Sequence, residues 1–156
     1  MVLDAIERGT ATGRRRQDAR AKPSRHRIEH CELIDAADVP RFAGLGVVCS
    51  VQPCHLLADI PVLTRQMGHR LDRVLPLREL IDSGCTPTGM DGAGLLWFGS
   101  DVPIVRADPG DSIRAAVDRR GEGMGQGEAI AWGQRITEAE AWAAFGDAST
   151  LKEPPQ

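Results

Sequence analysis

The stretch Gly46-Val47-Val48-Cys49-Ser50-Val51 decides the fold class. It is a short apolar run between a glycine and Pro53, without the in-out alternation of a half-solvated strand. Such runs mark strands buried on both faces, as in parallel sheets. Upstream, His26-Arg27-Ile28-Glu29-His30-Cys31 reads as a second strand, and downstream Leu95-Leu96-Trp97-Phe98, ending at Gly99-Ser100-Asp101, reads as a third. Helical patterns fill the intervals. Asp35 is expected to N-cap a helix through Phe42, closed by Gly44 and Gly46. Residues 55–70 read as short helical or irregular pieces, and Pro76 opens a helix that stops at Gly84. Strands alternating with helices predict parallel βαβ units and an α/β fold.

Toward the ends, Val2, Leu3 and Ile6 predict a helix stopped by Gly9, followed by an exposed basic loop over residues 8–25. Asp111 is expected to cap a helix through Arg120, and Thr137 with Glu140 forms a capping box for a last helix. One domain is expected over residues 1–146, with residues 147–156 as a tail.

The chain has 156 residues, 42% of them apolar and 26% charged, which is globular composition. A complete (β/α)8 barrel needs about 250 residues and does not fit. Net charge is −3, so no global basic field attracts nucleic acid. Residues 1–28 do hold eight basic against three acidic side chains. Weak nucleic-acid binding through Arg14-Arg15-Arg16 is the competing reading of that segment, but no aromatics are interleaved there to stack bases. Cys31, Cys49, Cys54 and Cys85 form no CxxC pair, no signal-peptide pattern precedes them, and no apolar run approaches a membrane span. A reduced, cytoplasmic setting is expected, with a small-molecule substrate and neither nucleic acid nor membrane as partner.

In parallel α/β proteins the carboxyl ends of the strands share one mouth and carry the chemistry. That rule selects Glu29-His30, Gln52-Pro53-Cys54-His55 and Ser100-Asp101. Two histidines and an aspartate from three neighbouring strand ends suit a divalent-metal or acid/base cluster. Read singly, each is more often a hydrogen-bonded structural histidine or a turn-capping aspartate.

The segments Arg25-His26-Arg27-Ile28-Glu29-His30, Ser50-Val51-Gln52-Pro53-Cys54-His55 and Phe98-Gly99-Ser100-Asp101-Val102-Pro103, in this order, resemble the amidohydrolase superfamily. The closest likeness is to its amidohydrolase-3 branch, which includes N-substituted formamide deformylases. The resemblance implies strands six to eight, with their helices, of a metal-bearing (β/α)8 barrel. It implies His30 as a metal ligand and Asp101 as the aspartate that touches the metal and shuttles the proton of the attacking water. His55 and Gln52 fall where family members meet substrate. Glu29 is read either as orienting neighbouring groups or, by its alternating position, as equally facing outward. The implied reaction is metal-dependent hydrolysis of C–N bonds in non-peptide amides, with zinc as the default cation. The family also uses a His-x-His pair, a carboxylated Lys or Glu and a further His, none of which this sequence contains in matching positions. The chain is therefore expected to be a truncated piece, inactive alone, with two open sheet edges. Its expected partner is a complementing N-terminal half or a second copy. The alternative is a non-catalytic remnant or interaction module.

Overall fold

A computed structural model describes residues 2–13, 25–121 and 123–146. The Arg14–Arg16 run and the tail over 147–156 lie outside the described residues. The elements in chain order are α1 (Val2–Gly13), β1 (Arg27–Ile28), α2 (Val39–Leu45), β2 (Val48–Val51), α3 (Pro53–Gln66), α4 (Leu77–Asp82), β3 (Leu96–Phe98), α5 (Pro109–Asp118) and α6 (Glu138–Ala144). Short 3-10 turns cover Gly68–Arg73, Gln126–Glu128 and Trp132–Gln134.

The sheet is parallel throughout, in the order β1-β2-β3. All four residues of β2 are buried, which is why its sequence runs apolar without alternation. Arg27 aligns with Val48, Ile28 with Cys49, Ser50 with Trp97 and Val51 with Phe98. Because side chains alternate along a strand, Arg27, Ser50 and Trp97 share one face. The small Ser50 lets Arg27 reach across β2 to lie 5.9 Å from the Trp97 ring centre. Phe98 points the other way, edge-on to Phe145 at 5.6 Å. Val47, Val48, Leu56, Leu77, Leu80 and Leu96 centre the core.

Several expectations change. The first helix runs past Gly9 to Gly13. One helical glycine costs only about 1 kcal/mol, and Thr10 Oγ1 donates back to Ile6 O at 2.6 Å across it. The 55–70 region is a 14-residue helix, α3. Pro53 occupies the first helical turn, where its missing N–H costs nothing, and Pro61 sits on an exposed position. Asp38, not Asp35, precedes α2, and its carboxylate pairs with Arg41 rather than capping. Asp108, not Asp111, caps α5 by accepting from Gly110 N at 2.9 Å. Gly46 closes α2 in the left-handed region at φ 64°, as its position predicted.

The outer edge of β3 is not open. The 85–94 loop folds back along it, with Leu95 N and Leu96 N donating to Thr86 O at 2.9 and 3.0 Å and Thr88 N donating to Leu96 O at 3.1 Å. Gly89 continues this strap against α6, donating to Ala143 O at 2.7 Å. Its missing Cβ matters here, since one would collide with the Gly146 backbone.

The capping box at α6 forms as read. Thr137 Oγ1 accepts from Glu140 N at 3.2 Å and Glu140 Oε2 accepts from Thr137 N at 2.8 Å. Thr137→Ala should destabilise the fold by about 1 kcal/mol, seen as a melting temperature lower by about 3 °C. A second knot joins α4 to the turns on either side. Glu79 receives Arg73 Nε at 3.0 Å and Gln134 Nε2 at 2.6 Å. Arg73's hydrogen bonds hold the Glu79 carboxyl below its ordinary value of 4.5, against the opposing effect of burial. A carboxyl lowered on folding adds stability that is complete above its unfolded value and is lost as pH falls through the folded one. Glu79→Gln should therefore be less stable than wild type at neutral pH, with the gap closing below the ordinary value of 4.5. Urea melts at neutral and acidic pH check this; a gap independent of pH would contradict it.

Candidate metal centre

The three strand ends open on one side of the sheet, and each delivers one donor. Beyond Ile28 the chain leaves β1 through a three-residue turn in which Cys31 N donates to Glu29 O at 2.9 Å. His30, at the centre of that turn, has φ 68°, a strained conformation for a side-chain-bearing residue. His55 stands in the first turn of α3, its N–H donating to Gln52 O at 3.0 Å. Beyond β3, Gly99 N extends the ladder to Val51 O at 3.0 Å; Asp101 then takes φ 58°, and Ile104 N closes a turn onto its carbonyl at 2.9 Å. The Val102–Pro103 peptide is cis. Cys54 fastens the β2 end to its neighbours, donating its N–H to Ser112 Oγ at 3.3 Å, with Sγ 3.9 Å from Ser100 O.

One donor atom each from His30, His55 and Asp101 lies within 4.8 Å of the other two. His55 Nε2 is 4.0 Å from Asp101 Oδ2, and the two imidazole rings are 5.9 Å apart between centres. Asp101 and His30 are exposed, whereas His55 is mostly covered. Among the described residues, two buried side-chain polar atoms have no hydrogen-bond partner: His55 Nε2 and Gln52 Oε1. Both belong to the short segment that follows β2. Buried polar groups in native proteins are nearly always satisfied, so a pair of orphans at one strand end marks a place where something else supplies the partner.

The donors fit a divalent cation. Imidazole and carboxylate together suit first-row divalent metals, and three protein donors with an open position describe a catalytic zinc-type site. Two bonds of about 2.1 Å span at most about 4.2 Å. The 4.0 Å separation of His55 and Asp101 already lies within that reach, and the widest separation needs a shift of well under 1 Å.

The strand-end rule grouped His30, His55 and Asp101, whereas the family resemblance set His55 with Gln52 beside a substrate; the geometry brings His55 together with His30 and Asp101. Glu29, expected to orient neighbouring groups, has its carboxylate on Arg27 Nε at 2.5 Å. Glu32 was missed. It is half-buried, and burial together with Asp59's charge holds its carboxyl above the ordinary range, against the pull of His55, Arg119 and His30. The only sequence signal for it was an acid two residues beyond His30. Two of the thiols, Cys49 and Cys85, are not part of this chemistry. Hydrogen bonding from Cys31, with burial, pushes the Cys49 thiol well up, and burial raises Cys85 to about 11, so both stay protonated and inert.

Among proteins of known name, Protein LONG AFTER FAR-RED 3 of Arabidopsis thaliana is 34% identical over 119 residues, covering 76% of this chain and 18% of that protein. A crystal structure of an uncharacterized metal-dependent hydrolase from Pyrococcus horikoshii OT3 superposes with a TM-score of 0.63 at 26% identity. It covers 92% of this chain and 26% of the archaeal one. A second, from Pyrococcus furiosus, gives 0.62 at 27% identity, covering 92% and 24%. The chain thus spans about a quarter of each solved relative and less of the plant protein. The family model for the amidohydrolase family matches residues 1–150. With its small parallel α/β sheet, its His/Asp cluster and this match over nearly its whole length, the chain belongs to the amidohydrolase family, whose metal-dependent members imply a divalent cation.

Proposed function

We propose that this chain carries the metal- and substrate-facing strand ends of a hydrolase that cleaves C–N bonds in small, non-peptide amide-like molecules. The observation that carries the proposal is the convergence of His30, His55 and Asp101, with His55 Nε2 buried and unsatisfied. In this reading β1, β2 and β3 are the sixth to eighth strands of a (β/α)8 barrel. Residues 1–146 form one partial domain, and zinc is the favoured cation.

When bound, the cation supplies polarisation of the scissile carbonyl and a water whose pKa falls toward about 7. His30 and His55 would offer imidazole nitrogens to it, and Asp101 a carboxylate oxygen. Asp101 is exposed enough to meet substrate, so it takes the proton of the attacking water and returns it to the leaving nitrogen. Gln52 Oε1 is an acceptor with no partner, and the N–H of a substrate amide satisfies it. Glu29 acts only through Arg27. Because the chain spans about a quarter of its solved relatives, turnover is proposed to require donors from a complementing segment, and the isolated chain to be inactive.

Cobalt(II) titration of the metal-stripped chain, followed by visible absorption and elemental analysis, tests the site. About one cation per chain is expected. Losing even an outer partner of a metal ligand costs 10–100-fold in affinity, so His30→Ala, His55→Ala and Asp101→Asn should each lose about 100-fold or more. Chelator should lower the melting temperature of wild type and leave the three variants unmoved. Equal cobalt affinity in wild type and His55→Ala would overturn the assignment.

A further inference from the structure

We infer that Arg119 is the positioning residue for His30, acting through the segment that follows it. This rests on the reading of His30 as a cation ligand. Arg119 is fully buried, sits just past α5 in the left-handed region at φ 57°, and, among the described residues, has no carboxylate within hydrogen-bonding distance. Its guanidinium is spent on backbone carbonyls. Nη2 donates to Val74 O at 2.6 Å, Nη1 to Leu75 O at 3.3 Å and Nε to Ile130 O at 3.2 Å. Ile130 N returns a bond to Arg119 O at 2.8 Å. Leu75 in turn donates its N–H to Glu32 O at 2.7 Å. One chain of hydrogen bonds therefore runs from Ile130 through Arg119 and Leu75 to Glu32, two residues from His30.

Backbone strain follows the same path. Six non-glycine residues among those described have positive φ: His30, Cys31, Leu75, Asp101, Arg119 and Ala131. Four of them lie on this chain or next to it, His30 follows one residue beyond, and the sixth, Asp101, is the other exposed donor of the candidate site. Left-handed backbone at such residues persists only where the surroundings over-determine it. Around His30 and Cys31 the local restraints are the tight turn and the Cys31 Sγ contact to Ile28 O at 3.3 Å. The bond from Leu75 ties that turn to the core, as does the pairing of the Cys31 thiol with that of Cys49 in the sheet. A lysine at 119 could reach one carbonyl but not fork across two adjacent ones while also serving Ile130.

Amide hydrogen exchange on the metal-free protein tests this, with Thr137→Ala as a destabilised control far along the chain from residues 27–33. In Arg119→Lys, exchange over residues 27–33 should accelerate at least tenfold relative to β2, while Thr137→Ala leaves that ratio unchanged. Cobalt(II) affinity should fall at least tenfold in Arg119→Lys alone. Exchange in 27–33 that tracks β2 equally in both variants would overturn the inference. If Arg119→Lys does not fold, native-state exchange of wild type in rising urea decides the same question. Residues 27–33 and 73–76 should open in one step before β2, and separate openings would overturn the inference. A wild type that binds no cobalt would strike the metal reading, while the metal-free exchange still judges the role of Arg119.

Discussion

Strand β2 is hydrogen-bonded to a parallel neighbour on each side, and the placement of everything else depends on that pairing. Val48 N donates to His26 O and Cys49 N to Leu95 O, each at 2.8 Å, while Val51 O accepts from Gly99 N at 3.0 Å. Parallel order forces all three carboxyl ends to one edge of the sheet. It also fixes levels. Extending the ladder puts His30 beside Val51 but Asp101 beside Cys54, with His55 one residue further. Three residues of extended strand rise about 10 Å, yet the three donors lie within 4.8 Å. The difference is absorbed in two places. Beginning α3 at Pro53 shortens the rise per residue from about 3.3 to about 1.5 Å, which keeps His55 low. The turn at Asp101 then folds the β3 end back. Pro53 and the left-handed Asp101 are therefore conditions for the cluster, not ornaments of the loops.

Such backbone is expensive. A left-handed conformation costs a residue with a Cβ about 1–2 kcal/mol, and six occur among the described residues, against a typical net stability of about 5–15 kcal/mol for a whole domain. Half of them are tied into the core. Arg119, Leu75 and Ala131 are buried, and Leu75 and Arg119 bond to each other. Desolvation lowers the Arg119 guanidinium to about 10, with Glu32's charge acting the other way; it stays protonated at neutral pH, so all its donors remain available. Strain at the rim is thus held by a buried cation that reaches no substrate.

What could be read from sequence was whatever depended on local pattern. The apolar run of β2, the Leu96–Phe98 strand, the Gly46 stop and the Thr137–Glu140 box are all short-range signals, and all four stand as read. The spacing of RHRIEH, SVQPCH and FGSD carried the family. Illegible features arise from contacts far apart in the chain. Asp35 and Asp111 looked like caps, but Asp38 and Asp108 stand at the helix starts, because the incoming chain direction, set by tertiary packing, selects among nearby acids. The role of residues 85–94 as a strap over β3 needs the sheet to exist first. Nothing in the sequence around position 119 separates a buried arginine donating to carbonyls from an exposed helix-end arginine.

The two orphaned atoms bear most directly on what the fold is for. A buried polar group without a partner costs about 1–3 kcal/mol, and substitution of Gln52 or His55 by an apolar residue of similar size would remove that cost. The chain keeps both, three residues apart, at the strand end that also faces His30 and Asp101, while the other buried side-chain polar atoms among the described residues find partners. A cost confined to one mouth is the pattern expected when binding repays it. In the proposed function, the open imidazole nitrogen serves a cation and the open amide oxygen accepts from a substrate N–H. The pairing of two unpartnered polar atoms on a single turn of chain, beside two further donors, separates a candidate metal centre from a surface that merely collects histidines.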